Sequence, residues 1–233
     1  MHVSVLVREA LDYLKVRPDG VYIDSTIGGG GHAEEILKQL TSGRLLGIDR
    51  DPAALAAARE RLQAYGERLT LMQGNFAEID RLHAVSGFPP AEGILADLGL
   101  SSLQLEDASR GFSFALTGPL DMRMDPSSGV PAEEIVNHAS ERELADLIFK
   151  FGEERHSRRI ARAIMKARPI RTTTQLAQVV TRAIPSRAGL HQIHPATRTF
   201  MALRLAVNGE LESLERFLPA RSACWRPAGG WLS

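Results

Sequence analysis

One pattern near the start of the chain restricts its fold more than any other. An apolar tetrapeptide, Val21-Tyr22-Ile23-Asp24, runs into the glycine cluster Gly28 to Gly31, and Ala33, Ile36, Leu37 and Leu40 then recur at helical spacing. Strand, glycine loop and helix in that order begin a β-α-β unit, because two parallel strands need a crossover between them. Leu45-Leu46-Gly47-Ile48-Asp49 supplies the next strand. Asp51 follows as a helix N-cap, with Pro52 in the first turn and Gly66 near that helix's end. Leu69 to Met72 and Gly93 to Asp97 read as the third and fourth strands. The predicted class is α/β, with a parallel sheet covered on both faces and ligands at the carboxyl ends of its strands.

From about Leu105 the pattern changes to loops and helices, and no strand signal of similar strength returns before Ala202. Segments 141–151, 157–167 and 174–184 carry amphipathic helical spacing, and Thr117 to Pro131, rich in Pro, Gly, Ser and Met, is the expected linker. Lys plus Arg equals Asp plus Glu at 28 each, but the balance is local. Between Arg155 and Gly209 there is no acid, while Arg155, Arg158, Arg159, Arg162, Lys166, Arg168, Arg171, Arg182, Arg187, Arg198 and Arg204 are basic. A field of one sign attracts a polyanion; the alternative is a solvated helical face. The absence of an apolar run near the ~20 residues of a membrane helix, and of a basic-then-apolar leader, leads to the expectation of a cytoplasmic protein. The lone Cys224 offers neither an internal disulfide nor a cysteine-rich metal site.

Gly28-x-Gly30-x-x-Ala33 fits the dinucleotide fingerprint, with Asp49 placed where an acid binds ribose hydroxyls. That pattern suits a nicotinamide-dependent oxidoreductase as well as a methyltransferase. Asp24 separates them. A carboxylate at the mouth of the first strand repels a pyrophosphate but attracts the ammonium and sulfonium of S-adenosylmethionine. The Gly-Lys-Ser/Thr end of a phosphate-binding loop is missing, so a methyl donor is the better reading. Asp97 closes the fourth strand, where it either caps the next turn or holds an amine. An exocyclic base amine delocalises its lone pair into the ring, so acceptors on its N–H groups, together with alignment on the methyl–sulfur bond, carry the catalysis. His191 and His194 lack further ligands and read as RNA-facing or structural side chains, and no metal is expected.

These residues resemble the MraW/RsmH family of ribosomal RNA cytosine-N4 methyltransferases. The likeness covers nearly all of the chain to about Leu218. It runs through His2 to Leu6, Asp24-Ser25-Thr26, Gly30-Gly31-His32, Gly47 to Asp51, Asp97 to Ser102 and Arg110 to Phe114, and continues through Pro119 to Pro126, Gly152 to Arg155 and His194 to Phe200. The resemblance implies a Rossmann-like S-adenosylmethionine-dependent methyltransferase sheet with an inserted helical domain. Its expected division is a methyltransferase domain of residues 1–104 and 201–233 and an RNA-facing insertion of 105–200. It implies that Gly30, Gly31, His32, Asp49, Phe76, Asp97 and Gln104 contact the donor, with Phe76 against the adenine. The partner it implies is 16S ribosomal RNA in the small subunit, with N4-methylcytidine as product. Arg110, Phe112, Phe114, Arg155, Arg158, Arg159, Arg162 and Arg198 are the expected RNA contacts. Asp97 is the candidate catalytic residue.

The tail departs from the family. After Leu218-Pro219-Ala220 relatives continue into a Pro-Gly-Gly turn and further strands, whereas this chain reads Arg221 to Ser233 with both tryptophans and the only cysteine. A GC-rich back-translation of that tail, read two bases on, restores the family's pattern. The expectation is a frameshifted, truncated end, with a catalytically impaired RNA-binding remnant as the alternative to an active enzyme.

Overall fold

The computed structural model describes residues 6–184 and 193–225. The chain forms two compact units, one of residues 1–101 with 211–233 and one of residues 102–210.

The first unit holds α1 (Val7–Leu14), β1 (Val21–Asp24), α2 (Gly31–Gln39), β2 (Arg44–Asp49), α3 (Pro52–Arg61), β3 (Leu69–Gln73), α4 (Ile79–Ser86) and β4 (Gly93–Leu95). The strands are parallel in the order β3-β2-β1-β4. The chain thus steps outward from β1 through β2 to β3 and then returns to the other side of β1. That reversal is the switch point at which open α/β sheets bind ligands.

Alternation along the strands builds two cores. Tyr22 and Leu45 pack with Ile36, Leu37, Leu55, Ala58 and Leu62 on one face. Ile23, Leu46 and Ile48 pack on the other with Ile79, Leu82, Phe88, Phe217 and Cys224. Leu45, Leu46 and Ile48 are fully buried, and each such side chain stabilises the fold by about 1.5–3 kcal/mol. Asp51 caps α3 by accepting the Ala53 N–H at 3.0 Å, as its sequence predicts.

The second unit contains α5 (Ser102–Glu106), α6 (Ala132–His138), α7 (Glu141–Gly152), α8 (Ser157–Ala167), α9 (Thr173–Ala183) and α10 (Thr197–Asn208). Reciprocal capping boxes, Ser140 with Glu143 and Thr172 with Gln175, start α7 and α9. On α8, Ile160, Ala161 and Ile164 are buried while Arg158, Arg159, Arg162 and Lys166 are exposed. After α10 the chain enters α11 (Glu210–Ala220), which brings it back to the first unit.

Three expectations are corrected. Thr117 to Pro131 is not a loose linker: Leu120 and Met122 are fully buried, and Pro119 bridges Thr172. The Asn208 side chain holds this segment, accepting the Met124 N–H and donating to the Met122 carbonyl, each at 2.8 Å. The apolar run at Ala202 is helix, not strand, because Phe200 and Leu203 repeat at helical spacing and Gly209, at φ 57°, stops the element. Since α10 packs chiefly on α7, the return to the first unit comes at Leu211 rather than at 201. The tail is packed as far as Trp225: the Cys224 carbonyl accepts the Ala91 N–H at 2.7 Å, and Trp225 makes a parallel bridge to Ala91. Residues 226–233, like 2–5, Arg187 and His191, lie outside the described residues. No helix among the described residues is long and apolar enough to cross a membrane.

Candidate active site

The carboxyl ends of β1, β2 and β4 each carry an acid. Asp24 ends β1 with 1% of its surface exposed, and one of its oxygens accepts the Thr26 N–H at 3.2 Å. Burial pushes its carboxyl up to about 7; the Thr26 amide opposes this, and the charges of Asp49 and Asp97 add to it. Removing a carboxylate from water beside two others favours the protonated form, or a cation placed among them.

Asp49 ends β2 and ties the glycine loop to the sheet. Its Oδ2 accepts the Gly28 N–H and its Oδ1 the Asp51 N–H, both at 2.9 Å. Burial raises its pKa, while those amide bonds pull it down. Gly28 and Gly30 take φ of 50° and 81°, and a Cβ at Gly30 would lie 3.0 Å from Leu62. Glycine is favoured at both for its conformation, and at Gly30 the packing of Leu62 adds to that preference. Gly31 begins α2, so the backbone N–H groups of that first turn are not used within the helix.

Asp97 lies beyond β4, which ends at Leu95 rather than at Asp97 as expected. The reason lies in a hydroxyl. The Leu95 carbonyl still accepts the Ser25 backbone N–H at 2.9 Å, with Ser25 Oγ as a second donor at 2.6 Å, but the Asp97 N–H donates to Thr26 Oγ1 at 2.7 Å, so the backbone ladder stops at Leu95. The Asp97 side chain is 57% exposed, and its Oδ2 stands 3.7 Å from Nδ1 of the largely buried His32, an ion-pair distance too long for a hydrogen bond. Thr26 and Ser25 were not singled out for this role from sequence; their signal is two hydroxyl residues directly after a buried strand.

Phe76 follows β3. Asn75 accepts the Ala77 N–H and donates to Ser213 Oγ, each at 3.0 Å, and the Phe76 ring meets Phe217 edge-on at 5.4 Å. Phe76 is half-buried, so part of its ring faces the core and part remains accessible. The structure therefore gathers Gly30, Gly31, His32, Asp49, Phe76 and Asp97 at the carboxyl ends of one sheet. Gln104 belongs to the second unit, in α5, and is 5% exposed.

A small methyl donor bearing an ammonium and a sulfonium fits this end of the sheet. The buried Asp24 is set among like charges, where a cation is favoured, and the glycine loop follows it at the same end of the sheet. No group of three metal-ligating side chains occurs among the described residues.

The expected RNA contacts divide. Phe112 is 5% exposed, with Arg110 over its ring at 5.7 Å, so it is a core aromatic and not a stacking surface. Arg110 donates to the carbonyls of Arg123 and Met124 at 2.9 and 3.0 Å, which makes it a strut for the buried segment. Phe114 is half-buried and packs on His194 and Phe200. Arg155, Arg158, Arg159 and Arg162 are exposed, Arg162 standing 3.4 Å from Glu141. Arg198 is half-buried and donates to the Glu153 carbonyl at 3.0 Å. Two other members of the basic run are internal: Arg168 bonds the carbonyls of Val136 and Ala139, and Arg204 pairs with Glu210 at 2.8 Å.

A sequence model described as the MraW methylase family matches residues 1–232. Among curated relatives, a protein of Cyanothece sp. named ribosomal RNA small subunit methyltransferase H is 52% identical over 233 residues, covering 100% of this chain and 76% of its own length. A protein of the same name from Koribacter versatilis is 51% identical, covering 98% of this chain and 75% of its own. A solved rRNA methylase from Streptococcus thermophilus is 20% identical at a TM-score of 0.34, over 42% of this chain and 58% of that one, a likeness too slight to bear on the fold.

Proposed function

The chain belongs to the MraW methylase family, and from that premise we propose that it methylates the N4 amine of a cytidine in small-subunit ribosomal RNA. It is an S-adenosyl-L-methionine-dependent RNA methyltransferase. We propose in addition that the form of the RNA it recognises is the assembled small subunit. The observation that supports the proposed methylation most is the convergence of Asp24, Asp49 and Asp97 with the glycine loop at the sheet's switch point. The nicotinamide reading and the catalytically impaired remnant are not favoured.

When bound, the donor supplies an electrophilic methyl group on a sulfonium. In this reading Gly30, Gly31 and His32 let the chain approach it closely, and Asp49 takes the ribose hydroxyls. The Asp49 carboxylate already accepts the Gly28 and Asp51 N–H groups, and a carboxylate offers about four acceptor sites. The accessible part of Phe76 packs against the adenine. Asp97, exposed and fixed by its own N–H, holds an amine hydrogen of the acceptor and so helps to localise the nitrogen lone pair. The donor would pass its methyl to that nitrogen and leave as the neutral thioether, and the proton that the nitrogen gives up would pass to water. The exposed arginines of α8 and its approach hold the RNA backbone.

Calorimetric titration with S-adenosylmethionine, beside Asp49→Ala, tests the donor site. Binding that falls at least about tenfold in the variant is expected. Equal binding by the two proteins contradicts the assignment of Asp49, and no binding by the wild-type chain contradicts the donor site.

A further inference from the structure

Phe114 and His194 are far apart in sequence and stack in the second unit, their ring centroids 4.6 Å apart at 30°. Beneath them Phe200, 4% exposed, meets Phe114 edge-on at 4.9 Å and fixes that ring from the core side. His194 is exposed. Its Nδ1 accepts the Ala196 N–H at 3.2 Å, which puts the proton of the neutral ring on Nε2 and sets the ring plane. The chain then turns into α10, with the Thr197 N–H on the His194 carbonyl at 2.9 Å. Two flat rings, one held by the core and one by the backbone, thus lie at the start of a helix.

Cations adjoin that helix start. Arg198 occupies the first turn of α10 and reaches the Glu153 carbonyl at the end of α7. The helices meet closely there, since a Cβ on Gly152 would lie 2.6 Å from the Arg198 carbonyl oxygen. Arg155 lies two residues beyond Glu153, and Arg158 and Arg159 open α8. No acid occurs anywhere between Arg155 and Gly209. A π-face beside exposed arginines is the combination that holds single-stranded nucleic acid: bases stack and phosphates pair.

We propose that the Phe114–His194 pair is a base-stacking platform that takes one unpaired nucleobase of an RNA strand, with the adjoining phosphates on Arg155 and Arg158. The inference rests on the ribosomal RNA reading above. It assigns a binding role to His194, and it replaces the buried Phe112 as the partner of Phe114. The ligand is single-stranded RNA, because a paired base offers neither of its faces to a side chain.

The full-length chain is titrated by fluorescence anisotropy with a short single-stranded oligoribonucleotide and with its duplex, using wild type, Phe114→Leu, Phe114→Tyr, His194→Ala and the charge variant Arg158→Glu. A second oligonucleotide carrying a fluorescent adenine analogue reports stacking by quenching. Phe114→Leu keeps an apolar side chain against Phe200, and its melting temperature and donor affinity are measured alongside. Phe114→Leu and His194→Ala are expected to weaken single-strand binding roughly 5- to 150-fold, the range for loss of one stacked base, and to abolish quenching. Phe114→Tyr restores both. If Arg158→Glu weakens binding while Phe114→Leu and His194→Ala bind and quench like wild type, the platform is wrong and the RNA reading stands. If the wild-type chain binds donor but no RNA, the reading beneath it fails as well.

Discussion

The Asp49 carboxylate accepts the Gly28 N–H at 2.9 Å, so the end of β2 holds the glycine loop that follows β1. The bond joins the two parts of the sequence fingerprint, and it gives Asp49 a structural duty beside its proposed place on the ribose. Asp49→Ala therefore loses its bonds to backbone amides, those of Gly28 and Asp51 among them. We expect a stability loss of about 1–3 kcal/mol in chemical denaturation, together with the loss of donor affinity. Asp49→Asn, which keeps one acceptor oxygen, should fall between. A variant as stable as wild type would show that the loop does not depend on this tether.

Asp24 predicts a pH dependence of the free protein. Its carboxyl is raised to about 7 in the fold from a usual value of 3.8. The folded state consequently holds the proton over a range in which the unfolded chain has released it. Stability is then highest below about pH 4 as far as this group is concerned, declines as pH rises from about 4 to 7, and levels off above that. The full difference is on the order of a few kcal/mol. Asp24→Asn, which cannot ionise, should flatten this decline in melting temperature measured from pH 5 to 8, and should weaken donor binding above pH 7. An unchanged slope in the variant would place the titration elsewhere.

Arg110 and Arg158 should separate stability from RNA affinity. Arg110 is bonded to two carbonyls of the buried segment, so Arg110→Ala should cost about 1–3 kcal/mol in unfolding experiments. Arg158 is exposed on α8. Arg158→Ala should leave stability within about 0.5 kcal/mol while lowering the salt dependence of single-strand RNA binding by about 0.7 in log–log slope for each phosphate that the protein no longer neutralises. A stable Arg110 variant with specifically impaired RNA binding would reverse these roles.

Asn208 makes the segment around Met122 possible. Its amide serves Met124, Met122 and Arg204, and Met122 is held at φ 61°, a conformation uncommon for such a residue. Asn208→Leu leaves buried backbone groups without partners, and a loss of about 2–4 kcal/mol is expected. Proteolytic cleavage between Thr117 and Pro131 should then appear in the variant and not in wild type.

The sheet was legible in the sequence because its strands are short apolar runs bounded by glycine, proline and acid. β1 has the bounds read from its residues, and β2 and β3 differ by one residue at an end. β4 stops short of the bounds its sequence suggests because the Asp97 N–H goes to the Thr26 hydroxyl and not to a backbone carbonyl, an exchange made by residues distant in sequence. The acids at the strand ends were legible, but the burial that makes Asp24 a poor acid was not, since it depends on the neighbouring charges as well as on the fold. Phe112 was misread for a related reason. An aromatic in a loop carries no periodicity, and only packing decides whether its face is covered. The Pro- and Gly-rich stretch announced an irregular backbone correctly, yet irregular backbone can be packed when a side chain such as Asn208 satisfies its polar groups.

The central claim is methyl transfer to a cytidine amine, and the most direct measurement is nucleoside mass spectrometry of small-subunit RNA. Small subunits from cells lacking this activity are incubated with the full chain and isotopically labelled S-adenosylmethionine, and the RNA is digested. The account predicts label in N4-methylcytidine, lost with Asp97→Ala while donor binding persists. Label in another nucleoside would contradict the assigned acceptor, and donor binding with no label in any nucleoside would contradict the assignment of this chain as the catalyst.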